Sequence, residues 1–142
     1  MLDVSREFYE VDDVLRVIDA LALSKINYFH IHLSDDDSML LELPSFPDLI
    51  TYTGHDDKTQ RYTVEDMKLI VSRAKSYGIK VVPEVDFPGH SYALGNYPEF
   101  SELVVCQDHI KQWEMVDGSY IHGGPINGVW NPAKEETYDA IL

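Results

Sequence analysis

Apolar positions along this chain switch between a period of two and a period near 3.6, and the switches mark out its elements. Met1–Val4 reads as a short apolar strand. Val11, Val14, Leu15, Val17, Ile18, Leu21 and Ala22 then recur at helical spacing, with Asp12 and Asp13 placed to favour the positive start of a helix. Ile26–Leu33 predicts a second strand, followed by a polar loop over 34–62 that carries Pro44, Pro47 and Gly54. Thr63 with Asp66 three residues on predicts a variant of the capping box at the start of a helix over Val64–Tyr77. Met67, Ile70, Val71 and Ala74 form its apolar face, and Gly78 occupies the position after the helix that favours left-handed geometry. Ile79–Val85, with Val81 and Val82 at its centre, predicts a third, buried strand. A second long loop over 86–130 leads to Asn131-Pro132, read as an N-cap with proline at the first helical position and acids in the first turn.

The order β-α-β-α-β-α predicts parallel strands joined by helices. Long loops after the second and third strands, with short turns before them, fit a (β/α)8 barrel whose βα-loops hold the active site. Such a barrel takes about 250 residues, so 142 residues supply about the first three βα units of eight, from the first strand to the start of the third predicted helix. A strand opening at Met1 predicts an excised piece with no signal peptide within it.

Composition narrows the partners. Eleven basic against 25 acidic residues give a net charge of −14, which repels phosphate backbones and argues against nucleic acid. It would also suit an acidic compartment. No apolar run approaches the roughly 20 residues of a membrane span. Cys106 is the single cysteine, either a small buried hydrophobe or half of a disulfide whose partner lies beyond Leu142.

The ionisable residues gather at the three strand ends. The first strand runs into Asp3 and Arg6, the second into His30, His32 and Asp35-Asp36-Asp37, and the third into Glu84, Asp86 and His90. Buried carboxylates are costly unless paired, and a strand has no structural reason to end in such groups. Arg6 could clamp two sugar hydroxyls or a carboxylate with its donor fork, or form an ion pair with Asp3 or Asp86. His30 and His32 share one strand face, as metal ligands of a metal-dependent hydrolase or as hydrogen-bonded residues of a barrel wall. Asp35, nearest the strand, could fix the tautomer of His90 and through it tune a third group, the alternative being a solvated turn. His122-Gly123-Gly124-Pro125 invites a phosphate reading, but it lacks Lys-Ser/Thr and is read as a loop.

Four motifs in order, Leu2-Asp3-Val4-Ser5-Arg6, His30-Ile31-His32-Leu33-Ser34-Asp35-Asp36, Tyr62-Thr63-x-Glu65-Asp66 and Pro83-Glu84-x-Asp86-x-Pro88-Gly89-His90, resemble the β-N-acetylhexosaminidases of glycoside hydrolase family 20. Asn131-Pro132-Ala133 and Glu136-Thr137-Tyr138 continue the resemblance, which is looser between about 95 and 130. It implies that residues 1–142 are the N-terminal portion of a catalytic barrel whose parent removes terminal β-linked N-acetylglucosamine or N-acetylgalactosamine from glycans. The substrate's own acetamido oxygen attacks the anomeric carbon, so the family stands outside the scheme of two enzyme carboxylates. The acetamido-orienting Asp and the general-acid Glu lie in a His-x-Gly-Gly-Asp-Glu motif that this chain lacks, so the chain alone is expected to be inactive. Carried over residue by residue, Arg6 takes the sugar 3- and 4-hydroxyls, Asp86 supports Arg6, and Asp35 with His90 forms the pair that contacts the general acid. No cofactor or metal is implied. A lysosomal or secreted parent, one compatible with a dimer, and a Cys106 disulfide to a cysteine beyond Leu142 follow from the same resemblance. A non-catalytic sugar-binding or interaction piece is the remaining alternative.

Overall fold

The computed structural model describes residues 1–36, 38–53, 59–105 and 129–141. Three parallel strands, β1 (Leu2–Asp3), β2 (Tyr28–His32) and β3 (Lys80–Glu84), form one sheet in the order β1-β2-β3. Helix α1 (Val11–Leu23) connects the first two strands and α3 (Val64–Ser76) the last two, with a short α2 (Leu49–Thr53) between them. The capping box forms as expected: Thr63 Oγ1 accepts the Asp66 N–H at 3.1 Å, and the Asp66 carboxylate accepts the Thr63 N–H at 2.8 Å. Gly78 follows with φ +72, a left-handed conformation that costs glycine little.

Strand register decides which side chains share a face. Phe29 and Ile31 point to one side of β2, where they pack with Val14 and Ile18 of α1 and with Ile70 and Ala74 of α3. Both crossover helices therefore cover one face of the sheet. On the other face Tyr28 pairs in register with Lys80, His30 with Val82, and His32 with both Glu84 and Asp3. The Lys80 ammonium lies 5.7 Å from the centre of the Tyr28 ring, which fixes both on this side. No helix of the described residues covers it, and Tyr28 and Val82 are exposed.

A second apolar cluster lies beneath the loops that follow β2 and β3. Met39, Leu49, Leu94, Phe100, Leu103 and Trp130 are buried in it. Trp130 packs edge-on against Phe87 with centroids 4.6 Å apart, and its backbone N–H and indole N–H donate to Pro88 O and Ser91 O. These contacts pin the 88–91 turn, and with it His90.

Several expectations need correction. The strands are shorter than the apolar runs by one or two residues at each end, and Asp3, His32 and Glu84 are the last residues of their paired ladders. Val82 is exposed rather than buried, since β3 lies at a sheet edge with one face bare. The loop over 34–62 contains α2. The loop over 86–130 contains α4 (Tyr92–Gly95), a 3-10 turn (Ser101–Leu103) and an antiparallel pair of two-residue strands, β4 (Val104–Val105) and β5 (Val129–Trp130), so the chain is not parallel throughout. The last helix, α5 (Glu135–Ile141), starts later than Asn131-Pro132: Asn131 Oδ1 accepts the Ala133 N–H in a separate turn, and Pro132 is not its first helical residue. Asp37, Cys106 and His122-Gly123-Gly124-Pro125 lie outside the described residues.

Candidate active site

The register Asp3–His32–Glu84 sets three ionisable side chains side by side at the C-terminal ends of neighbouring strands. The loops that leave these strands add Arg6, Asp35, Asp86 and His90. Two reciprocal contacts hold the first loop to the second: Ser5 Oγ donates to the Ser38 carbonyl, and Ser38 Oγ donates to the Ser5 carbonyl at 2.7 Å. The second and third loops are held by Asp86 N–H to Ser34 Oγ at 2.8 Å and Tyr92 N–H to Asp36 Oδ1 at 3.0 Å.

Asp35 is the hub. It is 3% exposed, and its Oδ2 accepts from Arg6 Nη2 at 2.6 Å and lies 3.0 Å from His32 Nε2. Its Oδ1 accepts the Asp36 N–H at 2.7 Å and lies 3.4 Å from His90 Nδ1. Arg6 also reaches Asp3 through Nη1, so its fork bridges the end of β1 to Asp35. Burial raises the Asp3 carboxyl, but hydrogen bonds from Arg6 and Ser5, with the charge of Arg6, bring it below the usual carboxylate range.

Glu84 joins the two histidines. Its Oε1 lies 2.6 Å from His32 Nδ1, and its Oε2 contacts His30 Nε2. Burial works against a charged His32, yet its hydrogen bonds with Asp35 and Glu84 outweigh that and raise its pKa above the ordinary 6.5. The hydrogen bond from His32, followed by that from His30, holds Glu84 below the ordinary 4.5 against its burial. Linkage then fixes a pH window. The Glu84 contribution to stability is complete above pH 4.5 and lost as pH falls through its lowered value. The His32 contribution is complete below pH 6.5 and lost as pH rises through its raised value. Thermal midpoints measured against pH should be highest between these limits, and Glu84→Gln should flatten the acid side of the curve. An unchanged acid side would separate Glu84 from this network.

His90 sits at φ +52, an uncommon conformation for a residue with a side chain. Such strain costs about 1–3 kcal/mol and persists where surrounding contacts impose it, often at functional sites. Its Nδ1 is buried without a hydrogen bond, 3.4 Å from Asp35 and 3.8 Å from Asp36. The structure thus brings Arg6, Asp35 and His90 together around one carboxylate. Asp86 lies apart from that pairing in one respect: its carboxylate clusters with His32 and Glu84, with an oxygen within 4.8 Å of a ligand atom of each. His32 has a carboxylate at each ring nitrogen, and His30 is engaged by Glu84. The sequence places Glu84 among the strand-end ionisable residues but gives it no role. The signal was available, because the two-residue period of His30 and His32 aims both at whatever acid the neighbouring strand presents.

The chain matches the model of glycosyl hydrolase family 20, catalytic domain, over residues 1–141. It belongs to that family. The beta-hexosaminidase subunit B2 of Dictyostelium discoideum is 42% identical over 113 residues, covering 75% of this chain and 20% of the relative. The chitobiase structure from Flavobacterium johnsoniae superposes with a TM-score of 0.79 at 34% identity, over 99% of this chain and 20% of that one. A Streptomyces plicatus β-hexosaminidase mutant in complex with its product, N-acetylglucosamine, superposes with a TM-score of 0.73 at 36% identity, over 99% and 27% of the two chains. The chain spans about a fifth of the length of the first of these relatives. Among the described residues, no helix is long and apolar enough to cross a membrane.

Proposed function

We propose that this chain is the N-terminal part of the catalytic barrel of an exo-acting β-N-acetylhexosaminidase, about the first three of eight βα units. The parent hydrolyses terminal non-reducing β-linked N-acetylglucosamine or N-acetylgalactosamine from glycans, in the lysosome or after secretion. The observation that carries this reading is the Asp35 hub, with Arg6 on one oxygen and His90 facing the other at strand ends, in a chain of this family. The uncovered sheet face supports the barrel part of the reading, because later strands and the rest of the barrel would bury it.

In this reading each residue acts through its own chemistry. The planar fork of Arg6 takes two adjacent sugar hydroxyls, probing the 3- and 4-positions of the terminal sugar. Asp35 orients Arg6 and sets the charge facing His90. His90 contacts the general acid, a Glu supplied by a later strand, and adjusts its proton affinity. Asp86 supports Arg6. The substrate's acetamido oxygen serves as nucleophile, which is why the site needs positioning and one proton donor rather than a second enzyme carboxylate. General acid catalysis contributes about 10²–10⁴-fold, so residues 1–142 alone are expected to be inactive. Assay of the 142-residue chain beside its full-length parent on an aryl N-acetyl-β-glucosaminide tests this directly. Activity should appear only with the longer chain. Turnover by the shorter one, or by neither, overturns the reading.

A further inference from the structure

We propose that His32 is a positioning residue for Asp35, an imidazolium clamped between Glu84 and Asp35 that fixes the orientation in which Asp35 meets Arg6 and His90. The inference rests on the functional reading above and adds to it two residues that this reading leaves without a role.

The geometry leaves little freedom. Glu84 Oε1 lies 2.6 Å from His32 Nδ1, and Asp35 Oδ2 lies 3.0 Å from His32 Nε2. An ionised carboxylate only accepts hydrogen bonds, and a neutral imidazole has one N–H. Two carboxylates on the two ring nitrogens therefore need both nitrogens protonated; a neutral ring would turn a lone pair towards a carboxylate oxygen. Arg6, always charged, meets the same Asp35 oxygen at 2.6 Å. The His32 and Asp35 side chains are 6% and 4% exposed, where water screens such contacts weakly.

The surroundings agree. Across the sheet His32 faces Asp3 on β1, Glu84 at the end of β3 and Asp86 just beyond, with His30 two residues back on its own strand. Arg6 and Asp35 face it from the loops. The carboxylates outnumber Arg6, the one permanent cation among these groups, and a second positive charge at His32 balances them better. Arg6 and His32 then meet the same oxygen of Asp35, leaving Oδ1 directed at His90 Nδ1. A carboxylate held on one oxygen by two cations cannot rotate without breaking both contacts. Glu84 in turn keeps the ring in plane through the register of β2 and β3, as an outer hydrogen-bond partner orients a working side chain.

The test uses the full-length enzyme with 15N-labelled histidine and the variant Glu84→Gln, which keeps the shape of Glu84 and removes its charge. The His32 ring is the one perturbed by both Glu84→Gln and Asp35→Asn, because of these two acids His30 meets Glu84 and His90 faces Asp35. Both its nitrogens should be protonated at about pH 7, where an ordinary histidine is mostly neutral. Glu84→Gln should lower its titration midpoint and move the basic limb of the kcat profile to lower pH. It should also reduce kcat by about 10–100-fold, the range for loss of an orienting partner, with KM changed far less. A His32 ring with one bare nitrogen at that pH overturns the proposal. So does a Glu84→Gln enzyme that melts earlier while keeping its kcat and pH profile. If the wild-type enzyme turns over no N-acetylhexosaminide, the functional reading fails, and the ring signal still decides the clamp.

Discussion

Asp35→Asn should lower kcat of the full-length enzyme by about 10²-fold or more, bounded by the 10²–10⁴-fold that a general acid contributes. The reason is local. Oδ2 meets donors from Arg6 and His32, and Oδ1 meets the Asp36 N–H. An amide has one acceptor oxygen, so its NH₂ must face a donor in either orientation. The carboxylate charge that faces His90 at 3.4 Å is lost at the same time. Both limbs of the kcat profile should move, reporting coupled values that belong to the group rather than to one residue. His90→Ala should cost a similar amount, and the double variant little more, as expected of residues that act as one unit. Stopped assays across pH on the two single variants and the double variant provide the check. A profile unmoved by Asp35→Asn, with only a lower thermal midpoint, would make Asp35 a structural acid.

Arg6→Lys should reduce kcat/KM by about 1.5–3 kcal/mol, the range for hydrogen bonds to charged groups. Nη1 of Arg6 reaches Asp3 and Nη2 reaches Asp35, so the fork joins two loops at fixed geometry. A lysine keeps the charge but places a single nitrogen where the guanidinium places two. Contacts to the non-reacting hydroxyls are present in the ground state as well as the transition state, so the loss should fall mainly on KM. Arg6 and Asp35 should couple strongly in a double-mutant cycle, because each holds the other. Strict additivity would separate the sugar clamp from the Asp35 hub. The same cycle with Asp86 measures how far its support of Arg6 extends, given that its carboxylate clusters with His32 and Glu84.

Helix α3 was the most legible element. Its cap and terminal glycine form as the local signals predict, and Ile70, Ala74 and Met67 of its apolar stripe pack on the core, while Val71 turns out exposed because it lies at the edge of that stripe. The order of strands and crossover helices was legible for the same reason, since long periodic segments outlast errors at their ends. The short elements were not. α2, α4 and the β4–β5 pair owe their form to the aromatic cluster around Phe100 and Trp130, whose members come from distant parts of the chain. No local period records such a contact. Asn131-Pro132 misled because a cap-like pair can close a turn that stops before the helix begins.

The candidate site divides along the same line. Arg6, Asp35, Asp86 and His90 could be singled out because acids, a histidine and an arginine at strand ends are hard to explain as packing. That Arg6 meets Asp35 as well as Asp3 could not be read, since it depends on how two loops fold over the sheet. Glu84 was visible at the end of the third strand but was given no role, although the pairing of His32 with Glu84 is a consequence of register alone.

The account turns on a site built for an N-acetylated sugar whose own acetamido group supplies the nucleophile. The most direct measurement compares the full-length enzyme on an aryl N-acetyl-β-glucosaminide and on the matching aryl β-glucoside, with the anomer of the first-formed product followed by NMR. Hydrolysis should require the acetamido group, the first-formed product should retain the β configuration, and Asp35→Asn should abolish most of that turnover. Comparable turnover of the plain glucoside, or an inverted first product, would contradict it.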